Sequence, residues 1–305
     1  MLLKEIKNIF HKELDTIYPK EEVDSFFYLL IEHHLGLERF VLALQPNFIV
    51  SKQEEQPLFE ALNELRLQRP VQYIMGKAHF MDLELTVNKH VLIPRPETEE
   101  LVRWILTDCH AERPPERVRR AGSRSIGGNQ STTILDIGTG SGCIALALAK
   151  NYPEAQVYAL DVSARALEVA QRNAEQNEVV VNFIKADILT LDTLDVPFDI
   201  IVSNPPYVRE LEKKEMKVNV TDYEPKEALF VPDNDPLLFY KSIVRFAKNS
   251  LKEGGSLYFE VNQYLAQETK QLLEDQNFTD IELRKDLFGN DRMLKGKILD
   301  VRFKK

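Results

Sequence analysis

Cysteine is scarce. Only Cys109 and Cys143 occur in 305 residues, too few for a disulfide framework or a cysteine-based zinc site. The chain therefore fits a reducing compartment, and a cytoplasmic setting is expected. Cationic charge is also short: Lys plus Arg number 39 against 48 Asp plus Glu, a net charge of −9. Grip on a nucleic-acid backbone needs clustered cations, so no direct nucleic-acid partner is expected. No apolar run approaches the roughly 20 residues of a membrane span, and no membrane association is expected. The first residues mix Lys4, Glu5 and Lys7 among apolar side chains and read as no signal peptide. None of the six histidines has a partner at metal-ligand spacing, so no metal is expected. No internal repeat is visible.

What is present is an ordinary globular balance, with 44% hydrophobic and 29% charged residues. At about 150 residues per domain the length favours two domains, each able to bury its own core. Residues 1–76 read as a helical domain. Leu2, Ile6, Ile9, Phe10 and Leu14 recur at helical spacing, as do Val23, Phe26, Phe27 and Leu30. Ser51-Lys52-Gln53-Glu54 has capping-box spacing ahead of Leu58, Leu62 and Leu65. No catalytic constellation is found there. Over 77–94 the period changes: Leu83, Leu85 and Val87 alternate, Asn88-Lys89 offers a turn, and Val91 and Ile93 alternate again. That predicts a β-hairpin linker. Pro94-Arg95-Pro96 then breaks the chain, and Glu97, Glu99 and Glu100 crowd the first turn of a helix through Leu101, Val102 and Ile105.

The stretch 111–131 is rich in Pro, Gly, Ser and Arg, with Arg113, Arg117, Arg119, Arg120 and Arg124, and predicts a mobile loop or linker. Beyond it, strands are expected at 133–137, 156–160, 181–186, 198–203 and 255–260. Helices are expected at 142–151, 163–177, 236–251 and 263–275, with two more strands in 278–300. Short apolar strands alternating with amphipathic helices predict an α/β domain over 95–305, a parallel sheet covered on both faces.

Three motifs carry chemistry. Asp136-Ile137-Gly138-Thr139-Gly140-Ser141-Gly142 follows a predicted strand and opens a helix. Glycines there let the backbone approach a ligand closely. The dinucleotide fingerprint has its third glycine one residue later, where this chain has Cys143. The shift fits a nucleoside ligand without phosphates better than NAD. Asp161 ends the next strand, about 20 residues on, where a carboxylate can accept both hydroxyls of a ribose. Asp187 ends the third strand and could meet an adenine amine or cap the following turn. Finally, Asn204-Pro205-Pro206-Tyr207 ends an Asp-led apolar strand. Two prolines remove two N–H donors and leave carbonyls free. Asn204 adds an amide and Tyr207 a flat face, a set suited to a planar substrate amine or amide.

DIGTGSG at 136–142, DVSARALEVAQRNA at 161–174 and NPPY at 204–207 resemble the S-adenosylmethionine-dependent methyltransferases with a seven-stranded Rossmann-like sheet. RPVQYIMG at 69–76, VLIPRPETEELV at 91–102, YEPKEAL at 223–229 and LFGNDRML at 287–294 narrow the resemblance to the release-factor glutamine methyltransferases, also called the HemK family. The resemblance implies that Gly138, Thr139, Gly140, Ser141 and Gly142 bind the methionine part of S-adenosylmethionine. It implies that Asp161 binds the ribose, and that Ile188, beside Asp187, lines the adenine pocket, with S-adenosylhomocysteine as product. Asn204 and the carbonyl of Pro205, flanked by Pro206 and Tyr207, would hold the side-chain amide of the glutamine in the Gly-Gly-Gln loop of peptide chain release factors. Residues 94–98 would form part of the cleft wall, and a monomer is expected. Two rivals stand beside this reading. One is an N-methyltransferase acting on an exocyclic amine of a nucleic-acid base, which the net charge disfavours. The other is a non-catalytic module that binds the cofactor and a protein, which the intact Asn-Pro-Pro-Tyr disfavours.

Overall fold

A computed structural model describes residues 1–111 and 131–299. All five arginines of the Arg-rich stretch, and the loop expected there, lie outside the described residues. The chain divides into two units, Met1–Lys77 with Met216–Tyr223, and Ala78–Glu215 with Glu224–Lys305. Among the described residues no helix is long and apolar enough to cross a membrane, and no cluster of three or more His, Cys, Asp or Glu could hold a metal ion.

The first unit is helical: α1 Leu3–Leu14, α2 Lys20–Leu35, α3 Val41–Leu44, α4 Lys52–Arg66 and α5 Val71–Met75. The residues at helical spacing meet in one core, with Ile6, Phe10, Leu14, Val23, Phe27, Leu30, Leu58, Leu62 and Leu65 buried together. The capping box at the start of α4 forms in both directions. Glu54 N donates to Ser51 Oγ at 3.4 Å, and Ser51 N donates to Glu54 Oε2 at 2.9 Å. That satisfies two backbone donors the helix itself leaves unpaired.

A hairpin opens the α/β part, with β1 Lys77–Phe80 and β2 Leu83–Thr86. Its turn is Met81-Asp82 rather than the expected Asn88-Lys89, and Met81 takes φ 51°. Asn88 does turn the chain, but locally: its side chain accepts from His90 N at 2.9 Å. Asn short-circuits the backbone in this way wherever it starts a bend, so its presence did not locate the hairpin.

The remaining elements are α6 Pro96–Ala111, β3 Thr133–Ile137, α7 Cys143–Asn151, β4 Gln156–Asp161, α8 Ala164–Gln176, β5 Asn182–Lys185 and β6 Phe198–Ser203. After two short strands, β7 Val208–Arg209 and β8 Phe230–Val231, come α9 Leu238–Ser250, β9 Leu251–Glu260, α10 Ala266–Asp275, β10 Phe278–Lys285 and β11 Asp291–Ile298. Seven strands form one sheet in the order β10-β11-β9-β6-β3-β4-β5. The pairs among β3, β4, β5, β6 and β9 are parallel, and β11 runs against both neighbours. Alternate side chains sort to opposite faces. Ile134, Val157 and Val202 pack beneath α6 and α7, whereas Leu135, Ile201 and Leu257 pack with α9 and Leu273 of α10. This is the α/β sheet covered on both faces that the strand–helix alternation predicts.

Candidate active site

The sheet changes direction at β3, with β4 and β5 on one side and β6 and β9 on the other. Open α/β sheets bind ligands at the carboxyl ends of the strands beside such a point. Register brings three ends level there: Ile137 pairs with both Leu160 and Ser203. A cleft of about 380 Å³ opens at this edge.

The glycine loop closes one side of the cleft. Gly138 N and Thr139 N both donate to Leu160 O, at 2.8 and 3.1 Å, which folds the loop across the end of β4. Gly140 has φ 55°, and a Cβ there would meet nothing within 4 Å, so the backbone faces open cleft. Gly142 has φ 85° and a different reason to be glycine: a Cβ would fall 3.0 Å from Leu146 Cδ1 and 3.2 Å from Ala170 Cβ. Asp161 is held from two directions. Its Oδ2 accepts from Gly140 N at 2.9 Å and its Oδ1 from Ser163 N at 2.8 Å. Burial pushes its carboxyl above the usual range, against the pull of these backbone donors. Asp187 caps the next turn, its Oδ1 accepting from Leu189 N at 2.9 Å, and Ile188 lies buried beside it on the cleft wall.

Across the cleft, the chain leaves β6 through Asn204, Pro205 and Pro206, all lining residues. Asn204 Nδ2 donates to Thr98 Oγ1 at 3.2 Å, and that hydroxyl donates to Glu260 Oε2 at 2.6 Å. Tyr207 OH donates to Glu260 Oε1 at 3.0 Å, and Tyr240 OH to the Glu260 carbonyl at 3.1 Å. Glu260 is 1% exposed. Burial raises its carboxyl, while the donors from Thr98 and Tyr207 and the nearby Arg292 oppose that rise. The Tyr207 phenol is pushed well above its ordinary value, first by burial and then by the Glu260 charge.

The lining of the cleft therefore includes Gly138, Gly140, Asp161, Asp187, Ile188, Asn204, Pro205 and Pro206. Four sequence candidates sit behind that surface. The Thr139 hydroxyl donates inward to Asp136 Oδ2 at 2.6 Å. Ser141 is buried and its carbonyl accepts from Asn173 Nδ2 at 2.8 Å. Gly142 makes room for α7 and α8. Tyr207 lies outside the lining, and its phenol is tied to Glu260.

Two family models match the chain: PrmC N-terminal domain over residues 8–76, and Methyltransferase small domain over residues 124–222. A protein of Flavobacterium psychrophilum named release factor glutamine methyltransferase is 48% identical over 295 residues, covering 97% of this chain and 99% of that one. The chain belongs to the release factor glutamine methyltransferase family. A family member from Bacteroides thetaiotaomicron is 41% identical, covering 93% of this chain and 95% of that one. Among solved structures, the hMettl16 catalytic domain in complex with MAT2A 3'UTR hairpin 6 shares the fold at a TM-score of 0.52 and 15% identity, over 80% of this chain and 83% of that one.

In this methyltransferase several cleft residues escaped sequence reading. His90 lines the cleft, its Nε2 3.5 Å from Arg165 Nη1. Val162, 59% exposed, and Phe239 add apolar wall. Asn173 is fully buried on α8 and ties Ser141 O to the Thr86 backbone, with Thr86 N donating to its Oδ1 at 2.7 Å. A lone polar residue on the apolar face of a predicted helix is the signal that could have found Asn173.

Proposed function

We propose that the protein transfers a methyl group from S-adenosylmethionine to the side-chain amide nitrogen of the glutamine in the Gly-Gly-Gln loop of peptide chain release factors. The observation that carries this is one shared cleft, lined by Gly140 and Asp161 on one side and by Asn204 and Pro205 on the other. The family supplies the substrate class, since its members are named for it.

The cofactor side suits a nucleoside. Gly140 N and Ser163 N each donate to a different carboxylate oxygen of Asp161, and the carboxylate keeps lone-pair capacity for a ribose hydroxyl. Ile188, Val162 and Phe239 offer apolar wall for a flat base. Gly140 leaves room for the amino-acid part, since no Cβ intrudes. When bound, S-adenosylmethionine supplies an electrophilic methyl on a sulfonium.

The protein's task is then to present a nitrogen. A carboxamide nitrogen is a poor nucleophile because its lone pair is delocalised into the carbonyl. Asn204 Oδ1 and the Pro205 carbonyl accept its two hydrogens, which turns the nitrogen face toward the methyl and raises its electron density. As the new N–C bond forms, the methyl's bond to sulfur breaks and the sulfur leaves as a neutral thioether; the nitrogen becomes acidic only then and gives its proton to solvent as the product departs, so no strong base has to act first. Positioning of this kind supplies up to about 7–11 kcal/mol of a barrier. Apolar walls keep water from the reacting pair.

Asn204→Ala tests the assignment. Labelled methyl transfer to an intact release factor should fall to near background, while S-adenosylmethionine binding by calorimetry stays nearly intact. Unchanged turnover, or stronger methylation of RNA or DNA than of release factor in the unaltered protein, overturns the reading.

A further inference from the structure

The hydrogen bonds behind Asn204 have a direction, and that direction is set by the residue at their end. Glu260 acts as an acceptor at both carboxyl oxygens, one taken by Tyr207 and the other by Thr98. Glu260 Oε2 takes the one hydrogen that the Thr98 hydroxyl possesses, over 2.6 Å. The Thr98 oxygen then has lone pairs but no hydrogen for its other neighbour. The Asn204 atom 3.2 Å from it must therefore be the donor end of the amide, Nδ2. That leaves Oδ1, an acceptor, for the cleft. Tyr207 donates to the second oxygen, Oε1, at 3.0 Å, which stops the carboxylate from turning.

We propose that Glu260, acting through Thr98, fixes which end of the Asn204 amide faces the substrate, and so makes the site accept a carboxamide and refuse a carboxylate. The proposal rests on the role given to Asn204 above and deepens it. A glutamine amide nitrogen brings two hydrogens to Asn204 Oδ1 and the Pro205 carbonyl. A glutamate at the same place brings only lone pairs against those same acceptors. Like-facing acceptors in a buried pocket are strongly unfavourable, so the polarity of one amide becomes a substrate filter. Were the Asn204 amide reversed, its N–H₂ would welcome a carboxylate and repel the glutamine. A brace that only held the loop in place would not need this polarity. A neutral side chain able to both donate and accept would serve, without the unfavourable burial of a charge. Thr98 and Glu260 are thus positioning residues, and their partners come together across 162 residues of chain.

The experiment uses the full chain with S-adenosylmethionine, an intact release factor as substrate, and the same factor with Glu in place of the Gly-Gly-Gln glutamine as competitor. Two isosteric variants cut the relay: Thr98→Val removes the hydroxyl, and Glu260→Gln removes the acceptor-only end. Each is expected to lower kcat by about 10–100-fold, the scale on which misplaced groups act. Cofactor affinity should stay within about threefold, since the relay touches no part of that side, and it reports that the variants are folded. The preference for the glutamine factor over its glutamate competitor should shrink by about tenfold, one hydrogen bond's worth of discrimination at roughly 1.4 kcal/mol. Thr98→Ser keeps the hydroxyl and should restore both kcat and preference. Full kcat in Thr98→Val overturns the proposal, and so does a fall in kcat with the preference unchanged, which would mark plain structural support. If the unaltered protein methylates no release factor, the reading of the substrate fails and the relay falls with it.

Discussion

Two glycines of the same loop should fail in opposite ways when given a methyl group. Gly142→Ala meets two obstacles. Its φ of 85° is left-handed, and the new Cβ would sit 3.0 Å from Leu146 Cδ1 and 3.2 Å from Ala170 Cβ. The backbone strain costs about 1–2 kcal/mol. Crowding a packed site costs a further 1–3 kcal/mol or so, because Ala170 Cβ has no rotamer by which to retreat. A total of about 2–5 kcal/mol corresponds to a melting temperature roughly 5–15 °C lower in a domain of this size. Gly140→Ala meets only the strain, since its Cβ has open space at φ 55°. That space is the cleft. Gly140→Ala should lose about 1–2 kcal/mol of stability but most of its cofactor affinity. Urea unfolding and calorimetric titration with S-adenosylmethionine separate the two quantities. Equal stability losses in the two variants, or a Gly142→Ala protein as stable as the parent, would refute the division of the loop into a lining residue and a packing residue.

Asp161→Asn places an N–H₂ where Gly140 N or Ser163 N already donates. Cofactor affinity should fall by about 10–100-fold, the cost of one opposed donor pair, and an unchanged dissociation constant would remove Asp161 from the ribose. Asp136 is fully buried and burial pushes its carboxyl up from 3.8 to about 7, against the Thr139 hydroxyl that donates to it. The folded state then holds a proton that the unfolded state releases, so this group's contribution to stability falls as pH rises between about 4 and 7. In Asp136→Asn that dependence vanishes. Its stability relative to the parent should climb across the same window, at up to about 1.4 kcal/mol per pH unit. Parallel pH–stability curves in urea would show that the carboxyl is ionised throughout.

Much of this was legible because the signals were local. Helical spacing from Ile6 to Leu65 places a core by its period alone, and the Ser51 capping box needs only residues three apart. The glycine loop, Asp161 and the Asn-Pro-Pro-Tyr segment announce themselves by composition, and strand order carries them to one edge. The hairpin turn was misplaced because Met81 adopts a positive φ that no turn residue advertises, while Asn88, which does look like a turn residue, bonds to its own neighbour. Thr139, Ser141 and Tyr207 show what composition leaves open. A motif says which residues occur near a ligand, not which way each one points, and these three point into the protein. Glu260 was invisible for another reason. A glutamate closing a strand has no signature until its partners arrive, and they come from 53 and 162 residues away.

The parallel pairing of β6 with β9 has a consequence for how freely this enzyme's surface can change. Ser203 lies opposite Phe259, so Asn204 and Glu260 each stand one step beyond the same rung. The Asn204 amide and the Glu260 carboxylate are neighbours in a ladder, held by hydrogen bonds that loop length does not enter. The spacing between the two residues is therefore set by strand pairing and not by the length of any loop. A single-residue slip of β9 would undo it, by sending the carboxylate to the opposite side of the sheet.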